Sequence, residues 1–175
     1  MKAFLQGQWF GHPLHPALVH LPTALWLAAL VFDSLTLLGV GGNAMVQASF
    51  YAILFGLLAA LLAIPTGLAD WWDIKREKPA WKIGVYHLIL NIIVTIIFAV
   101  NLSLRVERLN EAAFVSLIPA GLSLIGALLL LISGYLGGRM VYGYGISVAR
   151  LSKQKWRRIA EEGGANVPPE QRGSP

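Results

Sequence analysis

Four histidines carry most of the chemistry this sequence can offer. His12, His15 and His20 fall in Gly11-His-Pro-Leu-His-Pro-Ala-Leu-Val-His-Leu-Pro22. His87 stands about one turn inside a later apolar stretch, with Asn91 four residues on and so on the same helical face. Two imidazoles from different helices are what a low-spin haem iron accepts as axial ligands, and helix bundles commonly hold haem in their cores. The same nitrogens could hold a bare ion. His15, His20, His87 and Asp70 form a nitrogen and oxygen set suited to zinc, iron or copper. Spacing leaves both uses open: His15 and His20 are not the i, i+4 pair of a helical metal motif, and no Glu-x-x-His occurs.

Composition narrows the rest. The 175 residues contain no cysteine, so there is no disulfide framework, thiolate metal site, iron–sulfur ligation or thiol catalysis. They are 56% hydrophobic and 13% charged, with a mean hydropathy of +0.62. A soluble domain carries about 25% charged residues. The pI near 9.7 would fit a nucleic-acid partner, but the basic residues flank apolar runs, which is the pattern of a membrane protein.

Four apolar stretches must position the histidines. They run over about 17–38, 45–69, 83–104 and 114–138. Each is near or above the roughly 20 residues that an apolar helix needs to cross hydrocarbon. Gly39 to Asn43 is a tight turn, Asp70 to Lys82 a charged loop, and Arg105 to Ala113 a short polar link. The expected fold is all-α, a four-helix up-down transmembrane bundle over 1–148. A basic and then disordered cytoplasmic tail is expected over 149–175. The first segment is too long for a signal peptide and has no convincing cleavage site.

Lys and Arg orient the bundle. Twelve of the fourteen lie in the N-terminus, the second loop or the C-terminal tail, and only Arg105 and Arg108 lie in the other two loops. Both termini are therefore expected in the cytoplasm. Trp9, Trp71, Trp72, Trp81, Tyr86 and Tyr142 fit an aromatic belt at that face. In an up-down bundle His20, Asp70, His87 and Arg139 converge on one cytoplasm-facing layer. Asp33 lies 13 residues beyond His20, about 20 Å along a helix. An ionised Asp facing lipid is costly, so it should face inward and bond Asn101 or Ser103, with Arg105 within reach.

Each of these residues also has a purely structural use. Pro16 suits a first helical turn, and Pro22 frees a carbonyl that a side chain can satisfy. His87 could simply pack on Asn91, and Asp70 could be an interfacial residue. Pro65 and Gly67 read as a kink near the end of the second helix. Gly134, Gly137 and Gly138 permit close helix packing and leave room for a flat ligand. No Gly-Lys-Ser/Thr follows them, so this is no phosphate loop.

The segments His15-Pro-Ala-Leu-Val-His-Leu-Pro22, Pro65-Thr-Gly-Leu-Ala-Asp-Trp71, His87 with Asn91, and Gly134-Tyr-Leu-Gly-Gly-Arg-Met-Val-Tyr-Gly-Tyr-Gly-Ile-Ser-Val148 together resemble the bacterial membrane family of domain of unknown function 2231. The resemblance runs in order over nearly the whole chain to Val148. Two positions depart from the usual pattern: Leu21 stands where Phe is usual, and Arg139 where Glu is frequent, so no fixed acidic role attaches to position 139. The resemblance implies a four-helix protein of the bacterial inner membrane. Similar domains occur beside Rieske-type iron–sulfur domains, which implies membrane electron transfer with any Rieske partner on a separate chain.

The functional expectation is a b-type haem protein that exchanges electrons with a quinone, a Rieske-type subunit or a cytochrome. It is an electron carrier or subunit rather than a stand-alone enzyme. His20 and His87 are the expected axial ligands, with His15 as the alternative. Asn91, Asp70 and Arg139 are expected to support the ligands or the haem propionates. The competing readings are a haem-free accessory subunit of a respiratory or photosynthetic complex and a His/Asp metal-site membrane protein. A small transporter ranks lower, because no repeat suggesting inverted halves is evident.

Overall fold

The computed structural model describes residues 1–110, 113–146 and 153–164. Its helices are α1 (Lys2–Leu5), α2 (Leu14–Leu18), α3 (His20–Leu37), α4 (Gly42–Trp71), α5 (Pro79–Ser103), α6 (Leu117–Gly138) and α7 (Lys153–Glu162). No strand occurs among the described residues. Four stretches are long and apolar enough to cross a membrane: Leu14–Leu37, Gly42–Trp71, Pro79–Arg108 and Leu117–Gly143. The second begins at Gly42 and ends at Trp71, a little beyond the expected bounds at each end, with Pro65 inside it as expected. Pro79 opens α5, at a position where its missing N–H costs no hydrogen bond.

The helices close into a ring. α3 packs along α4, α4 along α5, α5 along α6, and α6 back against α3. This is the expected up-down bundle. The first turn of the Leu14–Leu37 span, the α4–α5 loop and the end of α6 therefore share one end. Val148 and most of the expected disordered tail lie outside the described residues.

The bundle is small inside and large outside, as expected where lipid is the solvent. Ala29, Ala52, Ala60 and Ala127 are buried, whereas Leu58, Leu61, Leu62, Ile96, Ile125 and Leu128 are exposed. Tail-like side chains gain nothing by leaving lipid, and small residues let helix backbones approach. Two large rings fill the central space: Trp26 of α3 stacks on Phe98 of α5, with centroids 4.5 Å apart and planes 12° from parallel. Glycines make the room. A Cβ on Gly56 would come within 2.3 Å of Trp26, and one on Gly126 within 2.7 Å of Phe98.

Away from the histidine end lies a buried polar cluster. Asp33, Ser49, Asn101, Arg105 and Ser123 are all buried, and all four long helices contribute. Asp33 faces inward as expected, but its partners are Arg105, Ser49 and Ser123. Asn101 reaches it through Arg105, and Ser103 bonds its own helix instead.

Candidate functional site

His15 is seated on the last turns of α4. Its Nδ1 lies 3.1 Å from the Ala63 carbonyl and 3.3 Å from the Thr66 hydroxyl. A carbonyl only accepts, so Nδ1 carries the proton and Nε2 is the lone-pair nitrogen. The ring lies flush against Gly67, where a Cβ would come within 2.6 Å of the imidazole. The Pro65-Thr66-Gly67 run is therefore a seat for a side chain from elsewhere in the sequence.

His87 is seated on the last turns of α6 in the same manner. Its Nδ1 donates to the Ser133 carbonyl at 2.8 Å, which again leaves Nε2 as the lone-pair nitrogen. Gly137 lies beneath it, with a Cβ position 3.1 Å from the ring. The Asn91 amide sits 3.1 Å from Nε2, 2.8 Å from the His87 carbonyl and 2.8 Å from the Ser133 hydroxyl. Its two hydrogens have three acceptors on offer. Another group can therefore take Nε2 without leaving the amide unsatisfied.

The two imidazoles face a shared cavity. Their centroids are 6.4 Å apart and their planes stand at 89°. The cavity encloses about 470 Å³, within the range of roughly 300–1,000 Å³ usual for small-molecule sites. Its wall is mostly apolar, with Trp26 at the deep end and Trp71 and Met140 nearer the mouth. A second, more polar hollow adjoins it, sharing Asp70, Ile74 and Ile146 and carrying Lys75 and Lys78.

Both seats lie within residues 11–150, the stretch matched by the model of DUF2231, a family described as a predicted membrane protein. The chain belongs to this family. No curated protein and no solved structure matches it. The DUF2231 segment thus includes both histidines, both glycines beneath them and the four spans.

Within this DUF2231 bundle the expected site residues are only partly gathered. His87 and Asn91 are in contact, and Asp70 lines both hollows. His20 lines the cavity from an exposed position, with its Nδ1 3.3 Å from the Ala17 carbonyl of its own segment. The residue that meets His87 is His15. Arg139 is exposed and lines neither hollow. The basic residues of the second hollow are Lys75 and Lys78, which composition alone marks only as loop charges. Among the described residues no three His, Asp or Glu side chains gather around one point, so the four-ligand set for a bare ion is not assembled. Trp71 is a wall of the cavity, stacked on Trp81, while Trp9, Trp72, Tyr86 and Tyr142 are exposed as a belt requires.

Proposed function

We propose that this protein is a membrane electron carrier that holds a b-type haem in the cavity between His15 and His87. The carrying observation is the paired presentation of two imidazoles, each with Nδ1–H bound to a helix carbonyl. That second hydrogen bond is the usual way a ligating histidine is fixed in tautomer and orientation. With ring centres 6.4 Å apart, His15 and His87 would hold the haem between them. When bound, the haem supplies one-electron chemistry, its iron cycling between ferric and ferrous.

The protein's own residues would do the rest. Ala63 and Ser133 hold the ligand rings, and Asn91 stands ready to release Nε2. The apolar wall would support a macrocycle, and Lys75 and Lys78 of the adjoining hollow would meet its propionate carboxylates. We assign this end to the cytoplasm of a bacterial inner membrane, because twelve of the fourteen Lys and Arg residues lie on its side. The electron donor or acceptor would be a quinone or a Rieske-type or cytochrome subunit.

The test is a dithionite-reduced minus oxidised visible spectrum of protein purified from haem-replete cells. Sharp α and Soret bands at near-stoichiometric haem are expected. A flat spectrum from folded, monodisperse protein overturns the assignment.

A further inference from the structure

The two histidine seats are the same structure built twice. From His15 to His87, Trp26 to Phe98 and Asp33 to Arg105 the offset is 72 residues each time. From Gly56 to Gly126, Ala63 to Ser133 and Gly67 to Gly137 it is 70. Equivalent residues make equivalent contacts. His15 bonds Ala63 and rests on Gly67, as His87 bonds Ser133 and rests on Gly137. Trp26 packs on Gly56, as Phe98 packs on Gly126.

Burial repeats as well. Pro22, Trp26, Ala29 and Asp33 are buried, and so are Val94, Phe98, Asn101 and Arg105. The residues that meet across the bundle are the members of each equivalent pair: His15 with His87, Trp26 with Phe98, and Asp33 with Arg105. Contacts between equivalent positions are what a twofold axis produces. Here it runs along the bundle, relating the unit from α2 to α4 to the unit from α5 to α6.

The cavity straddles this axis. Pro16, Val19 and Thr23 line it, and so do Leu88, Asn91 and Thr95, each 72 positions on. Ala60, Ile64 and Leu68 line it, and so do Leu130, Gly134 and Gly138, each 70 positions on. A ligand there meets equivalent positions from both sides, alike at Thr23 and Thr95 and unlike at Val19 and Asn91.

We infer that the protein is a duplicated two-helix unit in which Gly67 and Gly137 are equivalent positioning residues. Each seats one of two imidazoles that bind a single ligand on the pseudo-twofold axis. This rests on the haem reading for the identity of the ligand, though not for the duplication. It excludes His20 as an axial ligand, because the position 72 residues on is Ile92. Both halves of the ligation must then respond alike. Gly67→Ala and Gly137→Ala push their rings from the same side, the first harder because its Cβ position lies closer.

Two experiments separate the inference from the reading it rests on. In haem-loaded protein, His15→Ala and His87→Ala should each convert the low-spin signal to high-spin, with added imidazole restoring it in both, while His20→Ala leaves it unchanged. Gly67→Ala and Gly137→Ala should keep haem but shift the ferric g-values, Gly67→Ala more. A change of spin state in only one histidine variant, or with His20→Ala, overturns the equivalence. Without haem, a ring exchange decides. Trp26→Phe and Phe98→Trp alone should each lose thermal stability, and the double variant should recover it, because each position has an equivalent glycine seat, Gly56 or Gly126. A double variant no better than the singles overturns the duplication even if haem is bound. A protein that takes up no haem but tolerates the exchange retains the duplication and loses the haem ligation.

Discussion

Arg105 grips Asp33 with both arms of its guanidinium, Nη1 to Oδ1 at 2.8 Å and Nη2 to Oδ2 at 2.6 Å, across 72 residues of sequence. Arg105 Nε donates to Asn101, while Ser49 and Ser123 donate to the carboxylate. Among the described residues no buried side-chain nitrogen or oxygen lacks a partner. A charge at this depth is tolerated only when paired, so the cluster fixes the register of all four long helices at once.

Arg105→Ala leaves a buried carboxylate without its counter-ion. Breaking one side of such a pair costs about 3–5 kcal/mol. Reversible unfolding in mixed micelles should show a loss of this size, with Arg105→Lys intermediate because it cannot bind both oxygens at once. A loss no larger than that of an exposed substitution such as Arg108→Ala would mean that the pair does not hold the helices together.

The perpendicular imidazoles make a spectroscopic prediction. Their planes stand at 89°. Crossed axial imidazoles leave the iron orbitals nearly degenerate, which gives a highly anisotropic low-spin ferric signal dominated by one large g-value. Parallel planes give a rhombic signal with three resolved features. Electron paramagnetic resonance of the oxidised, haem-loaded protein should show the first form. Ser133→Pro, which keeps the carbonyl but removes the hydroxyl beside His87 and strains the helix, is a poor control. Asn91→Ala is the better one. It removes the amide that spans the His87 carbonyl and the Ser133 hydroxyl, and it should broaden the signal.

The sequence made the bundle plain, and the physical reason is simple. Lipid demands long apolar helices, and that demand is written in every residue of a span. The inward turn of Asp33 was legible for the same reason, since a carboxylate cannot face lipid. As the partner of His87, the sequence ranks His20 first and His15 as the alternative, and His15 is the one whose ring meets it. His20 matches His87 in depth along the helix, but five residues beyond His15 it lies about 140° around the helix and is exposed. The role of Gly67 was hidden because a glycine that seats a ring and one that permits a kink read alike. The repeat is faint in the sequence because its halves keep contacts more than residue types: Trp26 answers Phe98, and Asp33 answers Arg105. Its sequence trace is the matched histidines 72 residues apart and the matched glycines 70 apart.

At the histidine end, the N-terminal segment is tied across the end of α4. Lys2 and Gln6 both bond Asp73, and Gln6 also donates to the Ala69 carbonyl. The bond from Lys2, followed by that from Gln6, holds the Asp73 carboxyl below its ordinary range. A depressed carboxyl stabilises the folded tie above its ordinary value of 3.8, and that contribution fades as pH falls through the lowered folded value. The site is exposed, so the effect should be small and weakened by salt. Carboxyl NMR should find Asp73 titrating lower in wild type than in Lys2→Gln. Equal titration in the two proteins would show that the tie does not persist in solution.

The Trp26–Phe98 stack sits midway between the histidines and the ion pair, so it tests whether the core couples the two ends. Removing a large buried ring costs about 3–5 kcal/mol. Trp26→Ala and Phe98→Ala should each lose about that much. Their double variant should lose less than the sum by about 0.5–1.5 kcal/mol, the coupling of a stacked pair. Gly56→Ala attacks the same ring from behind: its Cβ position is 2.3 Å from Trp26 Nε1, and that indole donates to the Ile53 carbonyl at 3.4 Å. The ring must then move toward Phe98 or up into the cavity. If it moves into the cavity, Gly56→Ala will also reduce haem retention, whereas Phe98→Ala, which opens space, will not. Additive losses with unchanged retention in all three variants would instead show that the core and the cavity are energetically independent.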